Sequence, residues 1–185
     1  MAYDSTATKE RILAAATAEF AAHGVAGARV DRVAAQAKAN KRAIYDYFGD
    51  KNALFAAVLE HLMAELAEAV PPGEEDLPAY AERLFDYHRA HPEALRLLLW
   101  EALELGDRPV PAEQARTQHY QDKIRAAGGE DDAARNRLFL VLGMVGWSLA
   151  MPQLRRMILG PGHDLDELRH VIAGATRALS REPEV

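Results

Sequence analysis

The sequence predicts an all-α chain. A three-helix N-terminal segment carries a helix-turn-helix at about residues 29–48, and a longer helical remainder follows, about nine helices in total. Three observations carry that reading. Apolar residues recur at three- and four-residue spacing along the whole chain, and no run shows the alternation of a strand. Gly and Pro, followed by Asn or Asp where new helices start, punctuate the pattern. Hydrophobic residues make up 49% of the 185, enough for a sizeable core.

The first helix is expected over Thr6 to His23, with Ile12, Leu13, Ala16 and Phe20 on one stripe and Gly24 as its stop. After a short loop, Val30 to Ala37 form the second, turning Val33, Ala34 and Ala37 inward. The turn Lys38-Ala39-Asn40 ends in a good N-cap, and the third helix starts at Lys41 with Ile44 and Phe48 facing the core. Gly49 ends it. Asp50 caps a long helix from Lys51 to Ala69, with Leu54, Phe55, Val58, Leu59, Leu62 and Leu66 on a broad apolar face. Pro71-Pro72-Gly73 and the acids up to Asp76 are the clearest break in the chain.

Beyond it, Asp76 caps a helix over Leu77 to His91, and Pro92 opens one ending near Leu105. The next runs from Pro111 to Ala127, before Gly128-Gly129. Asp131 leads into the most apolar helix, Asp132 to Met151, which Pro152 must kink or end; Gln153 to Leu159 form a further turn. Asp164 caps the last helix, Leu165 to Ser180, and the tail is expected to fray.

The third helix concentrates the chemistry. Its first turn carries Lys41 and Arg42 and its second Tyr45 and Tyr47, a cationic and aromatic side of a size that the DNA major groove admits. Lys41 and Arg42 are the candidates for base edges or flanking phosphates. Thr8, Lys9 and Arg29 are placed to flank the groove.

The net charge of −6 is unevenly spread. Residues 1–51 hold eight Lys/Arg against six Asp/Glu, a balance of +2 that leaves −8 for the rest. The absence of cysteine excludes disulfides and thiolate chemistry. The N-terminus lacks the apolar core of a signal peptide, and the apolar run Leu138 to Met151 is short of the ~20 residues a bilayer needs, so a cytoplasmic location without membrane contact is expected. His88, His91 and His119 invite a metal hypothesis, but no carboxylate completes a ligand set, so no metal, cofactor or catalytic residue is expected.

From Arg11-Ile-Leu-x-Ala-Ala through Phe20-x-x-x-Gly24, Val33-Ala34 and Ile44-Tyr45-x-Tyr47-Phe48 to Lys51-x-x-Leu54, the pattern resembles the TetR family of transcriptional repressors. The resemblance covers about the first third of the chain. It implies a helix-turn-helix DNA-binding domain over residues 1–50 and a helical effector-binding and dimerisation domain over 51–185. It also implies a homodimer on a palindromic double-stranded operator, released by a small, largely apolar effector. Tyr45, Tyr47 and Lys51 resemble the family's phosphate-contacting positions, with Asn40 capping the reader.

Two departures stand out. The turn that often reads Ala-Gly-Val-Ser is here Ala37-Lys38-Ala39-Asn40, and a positive φ at Lys38 costs on the order of 1 kcal/mol. Arg29 replaces the usual Ser/Thr cap of the second helix.

Tyr87, Trp100, Tyr120, Met144, Trp147 and Met151 lie on helices that in this family enclose a ligand pocket; each could equally be core. Gly143 and Gly146 would let another helix approach, and the final two helices are expected to form a four-helix dimer seam. The alternative is a helical ligand-binding or small enzyme-like protein without DNA binding. The exposed Lys41 and Arg42, and the lack of a recognisable catalytic pair, separate the two.

Overall fold

The computed structural model describes residues 5–71, 76–126 and 129–180. Those residues form ten α-helices and no strand: α1 (Ser5–Gly27), α2 (Val30–Ala37), α3 (Lys41–Phe48), α4 (Lys51–Ala69), α5 (Leu77–Ala90), α6 (Pro92–Leu105), α7 (Glu113–Ala126), α8 (Asp132–Ala150), α9 (Pro152–Leu159) and α10 (Leu165–Leu179). The tenth is α9, expected only as a further turn. Pro152 cannot donate to the preceding turn, so α8 stops and α9 leaves at 86° to it. The Pro72 to Glu75 part of the expected break, Ala127-Gly128 and the tail 181–185 lie outside the described residues. No single described helix is long and apolar enough to cross a membrane.

The chain divides into two compact units, one of residues up to Glu65 with Arg96–Pro111, the other of Leu66–Leu95 with Ala112 onward. This division does not follow the expected boundary at 50. Three short helices enclose too little apolar volume alone. Leu54, Val58 and Leu59 of α4 and Leu97 of α6, all fully buried, complete the core built by Ile12, Phe20, Val33 and Ile44. Phe20 and Phe55 meet edge to face at 5.1 Å.

Helix α1 continues past the expected stop through a kink at Gly24, whose φ of 66° and ψ of 179° suit glycine alone. A Cβ there would stand 2.9 Å from ring atoms of Trp100, so the close approach demands glycine as well.

In the second unit, α5 packs against α8 and α10, which also touch each other. Leu84, Phe85, Leu138, Val141, Val145 and Ile172 form its buried centre. Asp76 and Asp164 cap α5 and α10 through their carboxylates, as expected from the sequence, and Asp131 caps α8 in the same way. Arg169 of α10 reaches Asp86 at 3.0 Å and Glu82 at 3.4 Å on α5.

Candidate nucleic-acid interface

Two devices fix the helix-turn-helix. Lys38 takes the left-handed conformation (φ 51°, ψ 42°), which turns the chain sharply after α2 while its N–H and that of Ala39 return to carbonyls of Ala35 and Ala34. Asn40 is extended, and its side-chain oxygen accepts the Arg42 N–H at 2.8 Å, so α3 begins at Lys41.

Ile44 is 1% exposed and anchors α3 inward. Helical geometry then sends Lys41, Arg42 and Tyr45 to the other side, and all three are exposed.

A buried carboxylate holds this reader to α1. Glu19 accepts the Arg29 backbone N–H at 2.8 Å and the Arg32 Nε at 2.8 and 3.0 Å. Arg29 cannot cap α2 with its own side chain, so Glu19 receives that N–H from a distance in sequence. The Arg32 guanidinium, ahead of the Arg29 N–H, holds the Glu19 pKa below the ordinary carboxylate value. Arg11 adds a bond from Nε to the Ala37 carbonyl at the end of α2, 3.2 Å. Sequence reasoning passed over all three side chains. Glu19 had a signal: it falls on the stripe of Ile12, Ala15 and Ala16, where a carboxylate needs a cation.

The cations on α3 have acidic neighbours that sequence reasoning also passed over. Lys41 Nζ lies 2.8 Å from Asp31 of α2, whose carboxylate raises the Lys41 pKa. Arg42 lies 3.9 Å from Asp46, an i, i+4 pair readable from the sequence. Both carboxylates are largely exposed, so these pairs contribute little and a phosphate can replace them.

The flanking residues divide. Lys9 is exposed, with its ammonium 5.2 Å above the half-buried Tyr47 ring, and Arg29 is exposed. Lys51 is half-buried, with Nζ 3.4 and 3.5 Å from the carbonyls of Ala26 and Ala28, beside the start of α4. Thr8 requires a correction. It is 2% exposed and its hydroxyl accepts from Arg11 Nη2 at 3.1 Å, because it sits on the inward stripe of α1. It offers no hydroxyl to a groove.

Two of the six residues expected around a ligand share a groove. Trp147 and Met151 line a groove of about 150 Å³ with Ser148, Leu154, Arg155 and Ile158. Trp147 is nonetheless 60% exposed. Tyr87 lies against His91, with ring centres 4.6 Å apart, and Tyr120 is near Lys123. Met144 is half-buried on α8. Trp100 belongs to the first unit, packed on Gly24 and its core.

A capped two-helix reader with an open cationic and aromatic side defines a helix-turn-helix DNA-binding protein. The comparisons narrow the class. Residues 12–58 match the family described as bacterial regulatory proteins, tetR family, and residues 76–178 match the tetracyclin repressor-like C-terminal domain. The chain is 47% identical over 187 aligned positions to HTH-type transcriptional repressor SCO4008 of Streptomyces coelicolor, covering 96% of this chain and 97% of that protein. It is 39% identical over 106 positions to HTH-type transcriptional repressor NicS of Pseudomonas putida, covering 54% of this chain and 50% of that one. The solved structure of the transcriptional regulator SCO4942 from Streptomyces coelicolor aligns at a TM-score of 0.78 and 34% identity, over 95% of this chain and 99% of that one. The chain belongs to the TetR family and is a DNA-binding transcriptional regulator.

Proposed function

We propose that the protein is a homodimeric repressor, acting in the cytoplasm, that grips a palindromic operator through two copies of α3 and leaves it when a small effector binds the C-terminal unit. The observation that carries this is the fixed, outward presentation of Lys41, Arg42 and Tyr45 from a capped helix. Two such helices about one DNA turn apart, ~34–36 Å, fit successive major grooves.

What the second unit leaves uncovered supports the dimer. Phe139, Leu140, Gly143 and Trp147 of α8 are exposed along one side, as are Val171, Gly174, Ala175 and Ala178 of α10. Phe139 is 75% exposed and Val171 60%, an arrangement that favours burial against a second copy. The small residues let helices approach closely, and two helices from each chain make a four-helix seam. The pair is α8 and α10, with the short α9 between them in sequence.

Release is a shift between two states. An effector that favours the non-binding state by ~5.5 kcal/mol moves the balance from 1:99 to 99:1. Helix α4 starts directly after the reader, at Lys51, and continues past Glu65 into the second unit, which makes it the natural lever.

Selection of bound DNA from a random pool, followed by gel-shift titration, tests the reading. A palindrome should emerge, and Lys41→Ala or Tyr45→Ala should weaken its binding by about 1–3 kcal/mol without dissociating the dimer. No enriched sequence, or a monomer by sedimentation, would refute it and favour a ligand-binding protein without DNA.

A further inference from the structure

The C-terminal unit holds a buried cation with no counter-charge among the described residues. Lys123 of α7 is 4% exposed. Its ammonium has three N–H donors, and among the described residues its sole hydrogen-bond partner is the Tyr80 hydroxyl of α5, at 2.9 Å. No carboxylate of the described residues lies within ion-pair distance of it. Around it stand the Tyr80 ring, 5.3 Å from Nζ to centroid, and the Tyr120 ring, at 6.0 Å. His88 of α5, 5% exposed, feels its charge, and the His88 Nδ1 is buried with no partner among the described residues. His119 feels it too, and its exposed neighbour Asp122 is engaged by Arg125 and Gln118.

Burial of an unpaired ammonium is strongly unfavourable. Among the described residues two of its donors and one imidazole nitrogen find no partner, and the Tyr80 hydroxyl, which accepts from Lys123, still has its own proton to donate. Aromatic surface lies beside them.

We propose that Lys123, Tyr80 and His88 form an anion subsite, and that the effector is an amphipathic organic carboxylate whose charge sits on the Lys123 ammonium and whose apolar body lies against Tyr80 and Tyr120. This refines the expected largely apolar effector and rests on the reading of the C-terminal unit as the effector-binding part. A hydrophobic compound lacking a charge would leave the ammonium unmatched, and a cationic one would be repelled by it.

Calorimetric titration of the full chain with benzoate, 2-naphthoate and decanoate, each beside its neutral carboxamide, tests the subsite. At least one carboxylate should bind about tenfold or more tighter than its amide, as expected for a charge-assisted contact. Lys123→Met should bring that pair within about threefold, by weakening the carboxylate more than the amide. Tyr80→Phe, a milder change, should weaken the carboxylate alone. Amides binding as tightly as every carboxylate, no binding by any probe at millimolar concentration, or a preference that survives Lys123→Met would each overturn the proposal.

Operator binding without probe is measured in parallel and should survive Lys123→Met. A carboxylate preference in a chain that binds no palindrome would sink the repressor reading and keep the subsite. Operator binding without that preference would do the reverse.

Discussion

Lys123→Met is expected to make the ligand-free protein more stable, although it removes a hydrogen bond. Burial alone lowers the Lys123 pKa from 10.5 to about 8, so the folded state disfavours the ammonium by roughly 3 kcal/mol. Methionine keeps most of the stem and its apolar contacts and carries no charge. Against that gain stand the lost bond to Tyr80 and a phenol hydroxyl left buried, together about 1–2 kcal/mol. The net is roughly 1–2 kcal/mol of stabilisation, or about 2–8 °C in melting temperature for a chain of this size.

Urea unfolding at one chain concentration, at neutral pH and again near pH 10, provides the assay, since a dimer's stability depends on concentration. The sign of the pH effect is fixed. Because the folded pKa is the lower one, the unfolded chain binds more protons between about pH 8 and 10.5, and the wild type gains stability as pH rises through that window. Lys123→Met lacks this gain, so its advantage should shrink toward pH 10. A variant that is less stable at neutral pH, or an advantage that does not change with pH, would refute the account of Lys123 as an uncompensated charge.

His88 should act on the acid side. Burial first, then the Lys123 charge, lowers its pKa from 6.5 to about 4, so its stabilising neutral form is fully present above pH 6.5 and is lost as pH falls toward 4. At pH 5 that amounts to about 2 kcal/mol, and urea unfolding of His88→Phe should show a correspondingly shallower decline. Gly24→Ala combines a positive φ with a methyl 2.9 Å from the Trp100 ring and should destabilise by about 2–4 kcal/mol. An unchanged thermal melt would show that α1 and the Trp100 ring can relax around it. Asp31→Asn removes the carboxylate that holds Lys41 and should tighten binding to non-operator DNA by a few-fold in gel shifts at low salt, an effect that should fade as salt rises. Equal affinities at low salt would show that the pair does not restrain Lys41.

Most of the fold was legible because its punctuation is local. Asn40, Asp50, Asp76, Asp131 and Asp164 each cap within three residues of themselves, so sequence spacing states the bond. Helix faces follow from the same short range. What escaped lies at long range. Glu19 meets Arg29 and Arg32 from ten and thirteen residues away, and Lys41 meets Asp31 across the turn. Thr8 was expected to flank the groove with Lys9 and Arg29, whereas the side chain follows the inward stripe of α1. The ligand residues were the least legible, because aromatics at helical spacing serve core, cavity and dimer seam alike. Lys123 was missed for a related reason. On a helix as polar as α7, a lysine reads as one more solvated charge, and only its burial beside Tyr80 sets it apart.

That burial bears on how a ligand could drive release. A ligand shifts a two-state equilibrium only by the difference in its affinity for the two states. An apolar compound must draw that difference from shape and packing, where one methylene is worth about 0.8 kcal/mol. A carboxylate meeting an ammonium already stripped of water draws it from a larger source, because the roughly 3 kcal/mol that burial sets against the charged Lys123 is partly returned when the charge is matched. If only one arrangement of α5 and α7 brings Lys123, Tyr80 and His88 within reach of the same anion, then matching the charge favours that arrangement by an amount comparable with the several kcal/mol that release requires. Stability given up in the ligand-free state would then be the source of the switch, and the same substitution that stabilises the protein should abolish its response to carboxylates.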